Sequence, residues 1–234
     1  SCPVPVIRVD DAREALAELA VRFHQDPTSK MNVIGVTGTN GKTTTTYILR
    51  SIFEAAGQKA GVLGTIQHTI GTRVIPSDNT TPGADTLQRH FADMREAGCS
   101  AAAMEVSSHA LDQNRVRGVR FAGGIFTNLT RDHMDYHPTI EHYRDAKGRL
   151  FEGLTSKAIA ALNADDDVSD VYATRTQGRV VRFGLKRKAD VTAQIERGTF
   201  HGTRLRLRLG GEDLLVQTRL IGTHNVYNLL GAAA

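Results

Sequence analysis

The sequence predicts an α/β fold of P-loop type: a mostly parallel sheet with helices on both faces, carrying a small antiparallel β meander. Three observations predict it. Short apolar runs alternate with amphipathic ones over the first two thirds of the chain, a glycine turn links an apolar run to a helix, and from residue 189 onward the pattern changes to period-two alternation broken by glycines. Residues 33–37 read as a strand followed by a helix that runs to residue 56, and a strand over 60–64 leads to an amphipathic helix over 85–97. Strand 101–106 precedes a short helix near 108–114, strand 122–127 precedes a helix over 139–154, and strands 158–163 and 179–183 complete the series. Such strands are apolar with little interruption because crossover helices cover both faces of a parallel sheet. Segments 191–195, 203–209 and 214–220 alternate instead, with Gly198, Gly202 and Gly210-Gly211 between them, as in a meander with one face in solvent.

The two ends read differently. A strand over 4–9 and a helix over 12–23 carry too little apolar area to fold alone, so residues 1–28 are expected to be the tail and linker of a domain further upstream, and 29–234 one central domain. The apparent helix from Asn225 reaches Ala234 without a cap, so the chain is expected to be a fragment.

Composition narrows the class. The 234 residues hold 29 Lys+Arg against 25 Asp+Glu, a formal net charge of +4, with the basic residues scattered. The run Lys186-Arg187-Lys188 reads as a solvated loop, and no nucleic-acid motif accompanies it. Cys2 and Cys99 are far apart and form no metal-ligand spacing, which suits free thiols in a reducing compartment. No signal peptide and no apolar run of transmembrane length is recognisable, so a cytoplasmic protein without membrane insertion is expected.

The chemistry begins at Gly38-Thr39-Asn40-Gly41-Lys42-Thr43-Thr44, between an apolar strand and a helix start. Glycines let the backbone curl so that N–H groups point inward, the helix N-terminus adds partial positive charge, Lys42 reaches the outer phosphates and Thr43 ligates Mg²⁺. The strict P-loop spacing fails by one residue: Val36 stands where its first glycine belongs, and Gly35 lies one position upstream. In open α/β sheets ligands gather at the carboxyl ends of the parallel strands. Strand 101–106 delivers Glu105, Ser107, Ser108 and His109 there, and strand 122–127 leads to the segment from Asn128 to His137. Glu105 and His133 beside a phosphate loop suit Mg²⁺, directly or through water. His133 and His137, four apart, could share a helix face and raise a zinc site, but a third nitrogen or sulfur ligand at suitable spacing is missing. From composition alone Lys147 is a surface helix lysine, and Thr80-Thr81 could simply form a turn before Pro82.

Five blocks, in this order, resemble the Mur ligases: Gly38–Thr44, Asp78-Asn79-Thr80-Thr81-Pro82, Met104-Glu105-Val106-Ser107-Ser108-His109-Ala110-Leu111, the segment Asn128–His137, and Gly222-Thr223-His224-Asn225-Val226-Tyr227-Asn228. The resemblance covers essentially the whole chain and accounts for the unusual loop spacing. It is strongest to the branch that adds the third residue of the peptidoglycan stem peptide. It implies an ATP-dependent ligase of cell-wall biogenesis, and hence of cell shape and division. That ligase joins meso-diaminopimelate or L-lysine to UDP-MurNAc-L-Ala-D-Glu through an acyl phosphate. It also implies an upstream UDP-sugar domain, of which residues 1–28 are the tail, a central ATP-binding domain over 29–234, and a C-terminal amino-acid domain absent from the chain.

By the same resemblance Thr43 and Glu105 ligate a first Mg²⁺ and His133 a second, while Lys147 holds the place of a lysine that the family carbamylates. Lys42, His133 and Lys147 are thus the catalytic set. Gly38, Thr39, Asn40, Gly41, Lys42, Thr43 and Thr44 bind the nucleotide, with Asn225 and Asn228 near its adenine. Thr80, Thr81, Ser107, Gln113 and Arg115 meet the muramoyl dipeptide. A monomer is expected, with no nucleic-acid partner. Two other readings remain: folylpolyglutamate synthetase, which shares the Thr-Asn-Gly-Lys loop but follows it with Gly-Ser where Thr43-Thr44 stand, and a non-catalytic Mur-like nucleotide-binding module.

Overall fold

The structure, a computed structural model, describes residues 4 and 6–234. Its centre is an eight-stranded sheet. The strands are β1 (Asn32–Thr37), β2 (Ala60–Leu63), β3 (Gln67–Ile70), β4 (Arg73–Pro76), β5 (Ala101–Glu105), β6 (Phe121–Phe126), β7 (Ile159–Asn163) and β8 (Arg179–Phe183). They lie in the order β4-β3-β2-β5-β1-β6-β7-β8. All neighbours from β2 to β8 are parallel, and β3 and β4 add an antiparallel edge. β9 (Thr192–Thr199), β10 (Gly202–Leu209) and β11 (Glu212–Thr218) form the meander, with both pairs antiparallel.

The helices are α1 (Ala12–Phe23), α2 (Lys42–Ala55), α3 (Ala84–Glu96), α4 (Ser108–Asp112), α5 (Ile140–Glu152), α6 (Val168–Arg175) and α7 (Thr223–Ala233). They cover both faces of the sheet. On one face Leu87, Phe91 and Met94 of α3, Leu150 and Phe151 of α5 and Tyr172 of α6 meet Val33, Met104, Phe126 and Leu162 of the strands. On the other, Leu49 of α2, Val226 and Leu230 of α7 and Leu205 and Leu207 of the meander meet Val36, Ala103, Ile125 and Ala161. Successive strand residues point to opposite faces, so the inner strands β1, β5, β6 and β7 feed both cores and are apolar over most of their length. Met104, Phe126 and Phe151 are fully buried, and truncating such a side chain to Ala removes roughly 2–5 kcal/mol.

The expected helices and parallel strands recur within a few residues, with three differences. Described residues 6–9 are exposed and pair with no strand, because an extended segment gains nothing without a free ladder beside it. Pro5, within the expected strand 4–9, lies outside the described residues, as does Cys2. The hairpin β3–β4 and helix α6 have no counterpart in the sequence pattern. β3 and β4 are four residues each around a Gly71 turn with φ +61°, too short for a periodic signal, and α6 carries no continuous apolar stripe. Cys99 is free and buried. Among the described residues no helix is long and apolar enough to cross a membrane.

Candidate active site

The glycine loop Gly38–Gly41 links the carboxyl end of β1 to α2. Gly38 has φ +143° and Gly41 φ +90°, values that side chains rarely tolerate. A Cβ on Gly38 would lie 2.0 Å from Thr127 Oγ1, and one on Gly41 would lie 2.2 Å from Asn228 Oδ1. Gly41 is the N-cap of α2 and no side chain caps it, which leaves the first-turn N–H groups for a ligand. The segment after β6 pins the loop from the side. Asn40 N–H donates to Asn128 Oδ1 at 3.0 Å, while Asn128 Nδ2 and Thr127 Oγ1 donate to Asn40 O at 3.1 and 2.6 Å. Gly38→Ala is therefore expected to destabilise the fold by at least about 2 kcal/mol, through overlap and a forbidden φ together. Urea unfolding checks this; an unchanged midpoint would sink it.

Two lysines converge on one carbonyl. Lys42 Nζ donates to Gly38 O and Thr39 O, both at 2.9 Å, and Lys147 Nζ donates to Gly38 O at 3.1 Å. Lys147 is not on the surface, as composition suggested, but 1% exposed, with Nζ 4.3 Å above the Tyr143 ring. The residues of α5 facing the sheet are its buried ones, and Lys147 lies on that face with Tyr143, Leu150 and Phe151. Burial pushes the Lys147 ammonium well below its ordinary value and the Lys42 charge pushes the same way, against a smaller opposing pull from Asp132. Burial also lowers Lys42, against Glu105 and Asp132.

Glu105, at the end of β5, is 1% exposed. Thr43 Oγ1 donates to its Oε1 at 2.9 Å, as does the N–H of Thr65 at 2.9 Å. The Thr81 hydroxyl donates to Glu105 O at 2.8 Å and accepts from Ser107 N–H at 3.1 Å, which ties the Thr80-Thr81 segment to the strand end. Arg115 Nη1 donates to Thr81 O at 3.0 Å, and Arg115 Nη2 to Gln113 Oε1 at 2.7 Å. Lys42, Thr43, Thr80, Glu105, Ser107, Arg115, His133 and Lys147 share the walls of one cavity of about 400 Å³; Gln113 stands behind Arg115. His133 and His137 do not share a helix face: they lie in a turn, His133 with φ +55°. His137 is fully buried between Ser108 Oγ at 2.9 Å and His142 Nδ1 at 2.8 Å, and burial with the neighbouring His142 pushes it down to about 4. Among the described residues no three His, Cys, Asp or Glu side chains form a metal cage.

A second cavity, of about 530 Å³, opens on the far side of Asn40 and Gly41 toward Phe183, His224, Tyr227 and Asn228. Asn228 lines it. Asn225 orients Asn228 instead, accepting from its Nδ2 at 3.0 Å while donating to Ile221 O at 2.8 Å. Sequence reasoning missed Thr65, Tyr143, Phe183 and Tyr227 as site residues. Tyr143, four residues before Lys147 on one helix, carried a spacing signal; Thr65 carried none.

The family described as the Mur ligase middle domain matches residues 36–234. The chain is 47% identical, over its whole length and 49% of the relative, to the UDP-N-acetylmuramoyl-L-alanyl-D-glutamate–2,6-diaminopimelate ligase of Geobacillus kaustophilus. It is 45% identical to the enzyme of the same name from Halalkalibacterium halodurans, over 99% of the chain and 48% of the relative. A solved structure of a ligase of that name superposes with a TM-score of 0.87 at 30% identity, covering 97% of this chain and 47% of the other. The chain spans about half the length of the curated relatives it matches.

Proposed function

The chain belongs to the Mur ligase family, whose middle domain it matches over residues 36–234, and from that premise we propose that it is the ATP-binding core of a ligase joining a diamino acid to UDP-MurNAc-L-Ala-D-Glu. The names of the relatives favour diaminopimelate over lysine as that amino acid. One observation carries the reading: a buried lysine, Lys147, sits beside Lys42 of the phosphate loop in a cavity that also holds Glu105, His133 and Arg115.

In this reading the triphosphate lies along Gly38–Thr44 with its phosphate oxygens on the first-turn N–H groups of α2 and its base toward Asn228. The donors suit Mg²⁺, since Thr43 Oγ1 and the Glu105 carboxylate are hard oxygens already one hydrogen bond apart. His133 and a carbamylated Lys147 would hold a second ion. Bound Mg²⁺ offsets the repulsion between a substrate carboxylate and the γ-phosphate and neutralises charge that develops in transfer. Lys42 leaves its own loop carbonyls to meet that same charge, which a part-buried, preorganised cation does with little reorganisation of solvent. Lys147 must be neutral to take up CO₂: its lone pair forms the N–C bond while one C=O π bond opens onto oxygen, the nitrogen releases a proton to solvent, and an anion replaces the neutral amine. Its burial beside Lys42 favours the neutral amine over the ammonium. Arg115, backed by Gln113, and Thr80 orient the muramoyl dipeptide, and Ser107 and Thr81 shape the wall they stand on.

Residues 1–28 would then be linker to a UDP-sugar domain, with the amino acid delivered by a domain after α7, in a cytoplasmic monomer. The test is an assay with ATP, Mg²⁺, UDP-MurNAc-L-Ala-D-Glu and either amino acid, following amide product by mass spectrometry. The full-length protein should form the tripeptide, with diaminopimelate preferred. The 234-residue chain alone should give no amide above background, because the amine is not held near the acyl phosphate and water enters. Robust ligation by the chain alone would overturn the domain assignment, and no product from the full-length protein would overturn the function.

A further inference from the structure

Arg115 stands in the wall of the cavity, and three of its five N–H groups are already occupied by the protein. Nε and Nη2 donate to Gln113 Oε1 at 3.0 and 2.7 Å, and Nη1 donates to Thr81 O at 3.0 Å. One N–H on each terminal nitrogen is left for a ligand, and two such donors suit a carboxylate. Where they point depends on what holds Gln113.

Tyr136 holds it. Gln113 Nε2 donates to the Tyr136 hydroxyl at 3.2 Å, and that hydroxyl donates to Asp112 Oδ2 at 2.8 Å. This chain of bonds runs in one direction. A guanidinium only donates and an ionised carboxylate only accepts, so the amide turns Oε1 to Arg115 and Nε2 to Tyr136, and the phenol gives its proton to Asp112. Both ends of the chain are charged, and hydrogen bonds to charged groups are the stronger kind. Asp112 is fixed in turn by Arg149 Nη2 at 3.3 Å. The Tyr136 ring lies against His109, with centroids 4.1 Å apart, and meets the buried His137 edge-on at 4.8 Å. Asp112, Gln113, Arg115 and Tyr136 are all half-buried, so water competes for them less than on open surface.

We propose that Tyr136, which does not itself line the cavity, is a positioning residue for substrate binding: through Gln113 it fixes the Arg115 guanidinium before the muramoyl dipeptide arrives. The inference rests on the reading of Arg115 as a contact of that dipeptide. An arginine ordered in advance loses less freedom on binding, so the effect falls on affinity for the dipeptide and spares both the chemical step and the nucleotide.

The test is made in the full-length protein, with KM and kcat from the ligation assay and calorimetric affinities for UDP-MurNAc-L-Ala-D-Glu and a non-hydrolysable ATP analogue. Tyr136→Phe keeps the ring against His109 and removes only the hydroxyl. It should weaken dipeptide binding and raise its KM about fivefold, the net worth of one hydrogen bond, with kcat and analogue affinity unchanged. In an Arg115→Ala background the same change should cost no further dipeptide affinity, because its route runs through Arg115. If that background binds too weakly to titrate, Arg115→Lys, which keeps the charge without the fork, replaces it. Unchanged dipeptide affinity in Tyr136→Phe, an equal loss for the ATP analogue, or the same fivefold loss in the Arg115 background would each overturn the positioning role while leaving the ligase reading intact. No dipeptide binding by the wild type would overturn both. If Tyr136→Phe does not fold, Gln113→Leu cuts the same link one residue further along and is read in both backgrounds instead.

Discussion

Lys42→Ala is expected to lower kcat/KM of the full-length enzyme by at least about a hundredfold, the usual scale for removing a preorganised charge from a developing oxyanion. The same change should weaken a non-hydrolysable ATP analogue about tenfold or more in a calorimetric titration. Lys42 makes two hydrogen bonds to carbonyls of its own loop, and Lys147 still donates to Gly38 O when Lys42 is gone. The fold should therefore survive, and circular dichroism should show it. Wild-type affinity and turnover in the alanine variant would remove Lys42 from the mechanism.

Lys147 gives the second large effect, and it has two opposite signs. Lys147→Ala should lose at least about a hundredfold in ligation, because an anion that would serve the second metal ion cannot form. Short carboxylic acids added to the assay should restore part of the activity by occupying the vacated space. Full activity of the alanine variant without additive would refute the role. Stability moves the other way. Burial and Lys42 hold the folded-state value of Lys147 well below the ordinary 10.5, so between those two values the unfolded chain binds more protons than the folded one. Folding stability contributed by this site therefore rises with pH through that window and falls as pH drops. Lys147→Met, similar in length and without the charge, should stabilise the chain by about 1–2 kcal/mol at neutral pH and flatten that slope. Denaturant unfolding at several pH values between neutrality and about pH 10 measures both. A methionine variant no more stable than the wild type, with the slope unchanged, would show that Lys147 carries no such penalty.

What the sequence by itself determined was local. The glycine turn before Lys42 demands φ above zero, the unbroken apolar strands demand cover on both faces, and period-two alternation after residue 189 demands a meander; each signal is confined to a few consecutive residues and survives whatever packs around it. The ordered blocks from Gly38 to Asn228 named the family for the same reason.

What only the tertiary structure decided lies between residues far apart in the chain. Lys147 meets Gly38 across 109 positions, Thr65 meets Glu105 across 40, and Asn40 meets Asn128 across 88. No periodicity encodes such a meeting. A lysine on an amphipathic helix reads as a surface residue until the sheet places the Gly38–Gly41 loop against its face, and a threonine two residues past a strand reads as a turn until a buried carboxylate arrives beside it. Nor could the segment at 6–9 be denied strand structure from its own residues, because whether an extended run becomes a strand depends on a free edge within hydrogen-bond reach, which only the assembled sheet supplies or withholds.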